Sequence, residues 1–271
     1  MVTTMRHRRY MIMALPVLIW ALMLTAPPVY TRAQERSHLI QTVSDEEIYE
    51  GMLALGLTRT PVLETEDCEK AYENVKTCVV RIQMGNAHGS GIIWKMTPEK
   101  VVIVTNSHVL DYWDAAESYV YFPQGYYMDA QTAGVADRFD IGFLTIDNGQ
   151  FTYDELMRLQ CARIDKEVYE RLARESTIFC VDSGSEREEA SFYEIVVEHP
   201  RVYIDYFNEY MLYGHGFVKP GMSGGGAFDG RGYLVGMTTG GTQNNDAAFV
   251  PLTDIIQAYE EIMGEDIADN G

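Results

Sequence analysis

The chain has 271 residues, with 40 Asp and Glu against 21 Lys and Arg, a formal net charge of −19. So acidic a chain argues against nucleic-acid and anionic-membrane partners. The length suits one large β domain or two small barrels.

The first segment reads Arg6-His7-Arg8-Arg9, then an apolar run over residues 10–26, then Thr31-Arg32-Ala33. Basic, apolar and small-residue segments in that order predict a secretory signal peptide over residues 1–33, cleaved after Ala33. The competing expectation is an uncleaved anchor formed by residues 10–29; the run is short for the ~20 residues of a spanning helix. Residues 1–33 hold four arginines and no acid, which leaves 17 basic and 40 acidic residues beyond them. A soluble, extracytoplasmic protein fits that balance.

Residues 34–66 are expected to be a leader with one short helix. Ser44-Asp45-Glu46-Glu47 has the form of a capping box, predicting a helix from Asp45 to Leu55 with Gly56 past its end. A second helix is expected over residues 67–76, entering a first strand over 77–84. Strands recur to about residue 147. Residues 154–159 and 166–175 read as helical or loop-like, and strands dominate again over 177–250. Tyr233-Leu234-Val235-Gly236-Met237-Thr238-Thr239-Gly240 alternates as a half-buried strand does.

Cys68, Cys78, Cys161 and Cys180 make an even count in an exported chain, which predicts two disulfides. Of three connectivities, Cys68–Cys78 with Cys161–Cys180 is preferred because each bridge stays within one half. No C-x-x-C spacing or His/Cys cluster points to a metal.

The stretch richest in chemistry is Gly221-Met222-Ser223-Gly224-Gly225-Gly226. Glycines permit a tight turn that aims successive N–H groups at one point and exposes the Ser223 hydroxyl, as a nucleophile beside an oxyanion hole requires. A glycine-rich hairpin loop is the plain structural alternative. A serine nucleophile needs a base and an orienting acid. His108 follows the apolar run Val101-Val102-Ile103-Val104 and the turn Thr105-Asn106-Ser107, and so sits just past a buried strand. His215 in Gly214-His215-Gly216 competes for the role. Asp140 stands at the mouth of the strand Ile141-Gly142-Phe143-Leu144. Asp137 and Asp147 are alternatives to it.

These stretches, with Gly89-Ser90-Gly91-Ile92-Ile93, resemble the trypsin/chymotrypsin-like serine peptidases, which share the order His, Asp, Ser. The T-N-x-H-V and D-I-x-x-L wording is most similar to the bacterial HtrA/DegP-type protease domain. The resemblance covers about residues 75–262, and no PDZ domain is expected in residues 266–271. It implies an all-β fold of two six-stranded antiparallel barrels, with a C-terminal helix and a short helical N-terminal extension. The peptidase domain would span 67–265, with a first barrel at about 67–155, a second at about 160–252 and the helix at 253–263. It further implies His108, Asp140 and Ser223 as catalytic residues and the Gly221 and Ser223 N–H groups as the oxyanion hole. Thr238, Thr239 and Gly240 would be the strand that pairs with substrate, and Phe217 the base of the primary pocket. A small or apolar substrate side chain would suit that pocket. Two departures stand out: Gly226 replaces the usual proline, which predicts a more flexible loop, and Met222 replaces the usual aspartate or asparagine.

The function expected is a secreted serine endopeptidase acting on polypeptides through an acyl-enzyme, with no cofactor. An inactive protease-like binding module and a membrane-tethered quality-control component are the alternatives. Nothing in the sequence indicates an oligomeric state.

Overall fold

A computed structural model of the chain describes residues 43–185 and 189–265. The expected signal peptide or anchor and most of the leader lie outside the described residues. The chain divides into two compact units, Met1–Ile48 and Tyr49–Gly271. Helix α1 (Asp45–Ala54) opens the described part. Its capping box forms as the sequence predicts: the Glu47 N–H donates to Ser44 Oγ at 3.1 Å, and the Ser44 N–H donates to the Glu47 carboxylate at 2.8 Å. Helix α2 (Cys68–Val75) starts at Asp67, whose carboxylate accepts the Lys70 N–H at 3.0 Å.

The second unit is built on two antiparallel sheets. The first holds β1 (Val79–Met84), β2 (Ala87–Met96), β3 (Lys100–Thr105), β4 (Ser118–Tyr121), β5 (Tyr127–Met128), β6 (Gln131–Val135) and β7 (Gly142–Asp147). Their order is β5-β4-β1-β2-β3-β7-β6, a curved half-barrel whose ends are not joined by a ladder among the described residues. The second holds β8 (Arg163–Ile164), β9 (Thr177–Asp182), β10 (Ser191–Ile204), β11 (Glu209–Gly216), β12 (Gly226–Asp229), β13 (Tyr233–Gly241) and β14 (Asp246–Pro251). Here β12 pairs with both β9 and β13, so six strands close into a barrel, and β8 is added in parallel outside β13. Three short helices, α3 (Ser107–Leu110), α4 (Tyr153–Leu156) and α5 (Lys166–Glu170), lie in the connections, and α6 (Leu252–Met263) follows the last strand. This is the chymotrypsin-like two-barrel fold that the resemblance implies.

Each sheet encloses its own apolar centre. Ile82, Ile92, Ile103 and Phe143 are fully buried in the first, and Phe179, Phe228 and Phe249 in the second. A ring buried this completely contributes on the order of 2–3 kcal/mol. Tyr259 of α6 packs against Trp94 and Phe143 at 5.9 and 5.6 Å between ring centroids, which fastens the helix to the first sheet. That packing bears on β2 and on β7, the strand before which Asp140 stands.

Two expectations fail here. Cys68, Cys78, Cys161 and Cys180 are all free thiols, so neither preferred disulfide forms. Cys68 opens α2 among acidic neighbours, led by Glu194, whereas fully buried Cys78 lies near the Cys161 thiol. Cys180 points at the Tyr193 carbonyl, 3.5 Å away. Gly226 is not a flexible loop residue either. It is buried at the head of β12, opposite Met237, and a Cβ there would overlap the Phe228 ring.

Candidate active site

Strand β3 ends at Thr105, and the chain turns through buried Asn106 into the single turn of α3, which presents His108 half-exposed at the seam of the two sheets. Asp140 arrives from the turn before β7. Its two carboxylate oxygens collect four donors. Oδ1 accepts the Ser107 hydroxyl at 2.9 Å and the His108 N–H at 3.1 Å. Oδ2 lies 2.8 Å from His108 Nδ1 and accepts the Thr239 hydroxyl in a short bond. Asn106 completes the cradle, its Nδ2 donating to the Asp140 carbonyl at 3.0 Å and to Thr239 Oγ1 at 3.1 Å.

The charges follow from this cradle. Burial alone would raise the Asp140 carboxyl, but the hydrogen bonds from His108 and Thr239 outweigh it and hold the group at about 2. The bond to Asp140 raises the His108 pKa, partly offset by burial. With Nδ1–H held by the carboxylate, the neutral ring keeps Nε2 as its acceptor, the tautomer a general base needs.

Ser223 is delivered from the second barrel by a turn. The Met222 N–H donates to the Lys219 carbonyl at 3.2 Å, closing Lys219-Pro220-Gly221-Met222. Proline fixes a negative φ at the second position, and Gly221 has φ +96, so this is a type II turn. An alanine at 221 would be strained in that backbone and would overlap the His88 imidazole. Beyond the turn, the Gly224 N–H donates to Thr238 O and the Ser90 N–H donates to Ser223 O, both at 2.8 Å. Among the described residues, the N–H groups of Gly221 and Ser223 have no acceptor, which leaves two neighbouring donors for an incoming oxygen. Fully buried Met222 anchors the turn by packing into the core. The Ser223 hydroxyl lies 3.5 Å from the Thr239 carbonyl and makes no hydrogen bond to His108 among the described residues.

The remaining candidates fall in several places. His215 sits on β11 opposite Asp246, Asp137 is exposed, and Asp147 caps a turn by accepting the Gly149 N–H at 2.7 Å. Thr238 is buried and spends both backbone groups on Gly224 and Gly225, so it offers no edge to a substrate. Thr239 directs its side chain to Asp140, while Gly240 lines a cavity of about 750 Å³ with His108, Phe139, Tyr206 and Phe207. Phe217 is half-exposed, packs on Tyr193 at 4.9 Å between centroids, and does not line that cavity. Val218 instead presses a methyl group onto Gly241, where the chain before the turn meets β13. Sequence reasoning missed the parts played by Asn106, Ser107, Thr239 and Ser90. Hydroxyls and amides are too common for any one to signal its partner in space. Among the described residues, no group of three His, Cys, Asp or Glu side chains is arranged to hold a metal ion.

The sequence pattern of the family described as "Trypsin-like peptidase domain" matches residues 89–237. The chain belongs to that trypsin-like peptidase family. Among solved structures, HtrA-type protease AlgW with a decapeptide is 14% identical, with a TM-score of 0.60, over 73% of this chain and 68% of that one. An inactive form of Rv3671c from M. tuberculosis H37Rv, carrying a serine-to-alanine substitution, is 13% identical, with a TM-score of 0.57, over 78% of this chain and all of that one. No curated protein matches the sequence.

Proposed function

We propose that this protein is a secreted serine endopeptidase. The observation that carries the reading is the four-donor cradle of Asp140, which orients His108 and includes Thr239, whose carbonyl is 3.5 Å from the Ser223 hydroxyl. In the reaction, the Ser223 hydroxyl turns from the Thr239 carbonyl towards His108 Nε2 and attacks a peptide carbonyl. Hydrogen bonds of this kind are often long before substrate binds. His108 takes the proton and returns it to the leaving amine, while Asp140 stabilises the imidazolium. The Gly221 and Ser223 N–H groups hold the oxyanion, and water releases the acyl group from Ser223 by the same steps. The decapeptide in the AlgW structure supports a polypeptide substrate. Gly240, with the aromatic cavity beside it, would receive the chain on the acyl side. Val218 lies against Gly241, a residue of that cavity's lining, and on this reading it would wall the seat of the residue before the scissile bond and favour a small side chain there. Secretion rests on the basic-apolar-small pattern of residues 1–33.

The Ser223 hydroxyl's present partner favours a second reading, a protease-like module that does not cleave. Incubating the full chain with an unfolded polypeptide and following fragments by mass spectrometry separates the two. Fragments from wild type and none from Ser223→Ala are expected. An intact polypeptide with both proteins would leave the module reading in place.

A further inference from the structure

We propose that Ser90 is a positioning residue for the oxyanion turn, an inference that rests on the serine-peptidase reading above. Ser90 lies in β2, in the first sheet, and is fully buried. Its hydroxyl is 2.8 Å from the Gly221 carbonyl and 3.0 Å from the Ser183 hydroxyl. A carbonyl only accepts, so the Ser90 proton goes to Gly221, and the Ser183 hydroxyl donates to Ser90. The Ser90 N–H holds the Ser223 carbonyl at 2.8 Å. One residue therefore grips both of the residues whose N–H groups would bind the oxyanion. Its own carbonyl accepts the Thr105 hydroxyl at 2.7 Å, three residues before His108, so the same residue ties the two donors to the base.

The turn needs such a grip. Type I and type II turns share their ends and differ by a flip of the central peptide, here the one carrying the Gly221 N–H. Proline tolerates both forms at the second position, and glycine at the third favours the type II form without forbidding the other, so the turn's own residues bias the choice but do not lock it. Besides the packing of Met222, side chains from outside the turn restrain it, among them Ser90 on the Gly221 carbonyl and Asp182 at 2.6 Å from Lys219 Nζ at the turn's start. Asp182 and Ser183 are adjacent at the end of β9, so both restraints converge on one point of the second barrel. Of the two, only the Ser90 bond reaches Gly221: it holds the peptide that follows the one carrying the N–H, and so fixes one side of the residue about which that N–H must turn.

The test compares the rate of labelling by a fluorophosphonate probe, whose phosphoryl oxygen occupies the oxyanion position, for wild type, Ser90→Ala and Ser90→Cys. Rates are measured from pH 5 to 9, with melting curves to confirm folding. Ser90→Ala is expected to label at least ~10-fold more slowly, up to the ~10²–10³ of losing a donor outright. Ser90→Cys, a weaker donor, is expected to fall between. The midpoint of the acid limb is expected to stay at the wild-type pH, because Ser90 makes no bond to His108 or Asp140. If Ser90→Ala does not fold, the same criteria apply to Ser90→Cys. Labelling within about twofold of wild type, or a loss accompanied by a moved midpoint, would overturn the positioning role while leaving the peptidase reading intact. An unlabelled wild type would overturn both.

Discussion

Asp140→Asn perturbs the site at its most connected atoms. The carboxylate accepts from Ser107 Oγ, the His108 N–H, His108 Nδ1 and Thr239 Oγ1. An amide keeps one acceptor oxygen and puts an NH₂ where the other stood. If the NH₂ faces His108, Nδ1 becomes the acceptor and the proton moves to Nε2, so the ring no longer takes a proton from Ser223. Loss of that tautomer costs about 10⁴ in rate, or about 5 kcal/mol of barrier. Stability changes as well. The Asp140 carboxyl is lowered from 3.8 to about 2, which corresponds to about 2 kcal/mol of folding stability from the ionised form. Because the folded pKa is the lower one, that contribution is full above pH ~5 and fades as pH falls towards 2. Asp140→Asn is therefore expected to unfold about 2 kcal/mol more easily at pH 7, with the gap closing by about pH 2. Urea unfolding at the two pH values, alongside fluorophosphonate labelling at pH 8, measures both effects. Labelling near the wild-type rate, or a stability gap unchanged between pH 7 and pH 2, would refute the reasoning.

Further outcomes are expected. The labelling rate should fall on acidification with a midpoint above the 6.5 of an ordinary imidazole, since the Asp140 bond raises His108 and only the neutral ring is a base; a midpoint at or below 6.5 would contradict this. By the same linkage, the stability His108 contributes is full below pH 6.5 and is lost as pH rises through its folded value. Gly221→Ala should cost about 10²–10³ in labelling rate, because a side chain at φ +96 beside His88 forces the turn to move; an unchanged rate would contradict that. Val218→Gly should extend cleavage to larger side chains before the scissile bond, read from fragment termini, and an unchanged pattern would sink the narrow-seat argument. Alkylation in denaturant without reductant should modify Cys68, Cys78, Cys161 and Cys180 alike, whereas two or fewer adducts would restore a disulfide.

The legible parts of this chain were those encoded by local periodicity. The run Val101 to Val104 fixed where β3 ends, and so where His108 emerges. The spacing of Ser44 and Glu47 announced a cap that forms bond for bond. Interactions across the seam were not legible. The resemblance implied a substrate-pairing edge for Thr239, and alternation reports only which face a side chain takes, not what waits opposite; across the seam waits Asp140. Cysteine parity suggested bridges, but parity is blind to position in space: the thiol near Cys78 is Cys161, not the Cys68 expected to bridge it. Gly226 looked like loop freedom in a glycine-rich run, yet it pairs with Met237 beneath the Phe228 ring. Ser90 entered the sequence reading only as one letter of the stretch Gly89 to Ile93, since its importance lies in partners that are 15 to 133 residues away in sequence.

The most direct measurement is the intact mass of the full-length protein after incubation with a fluorophosphonate, beside Ser223→Ala and His108→Ala. The account predicts one adduct on wild type, mapped to the peptide bearing Ser223, and none on either variant. A folded wild type that gains no mass, or an adduct that survives Ser223→Ala, would contradict it.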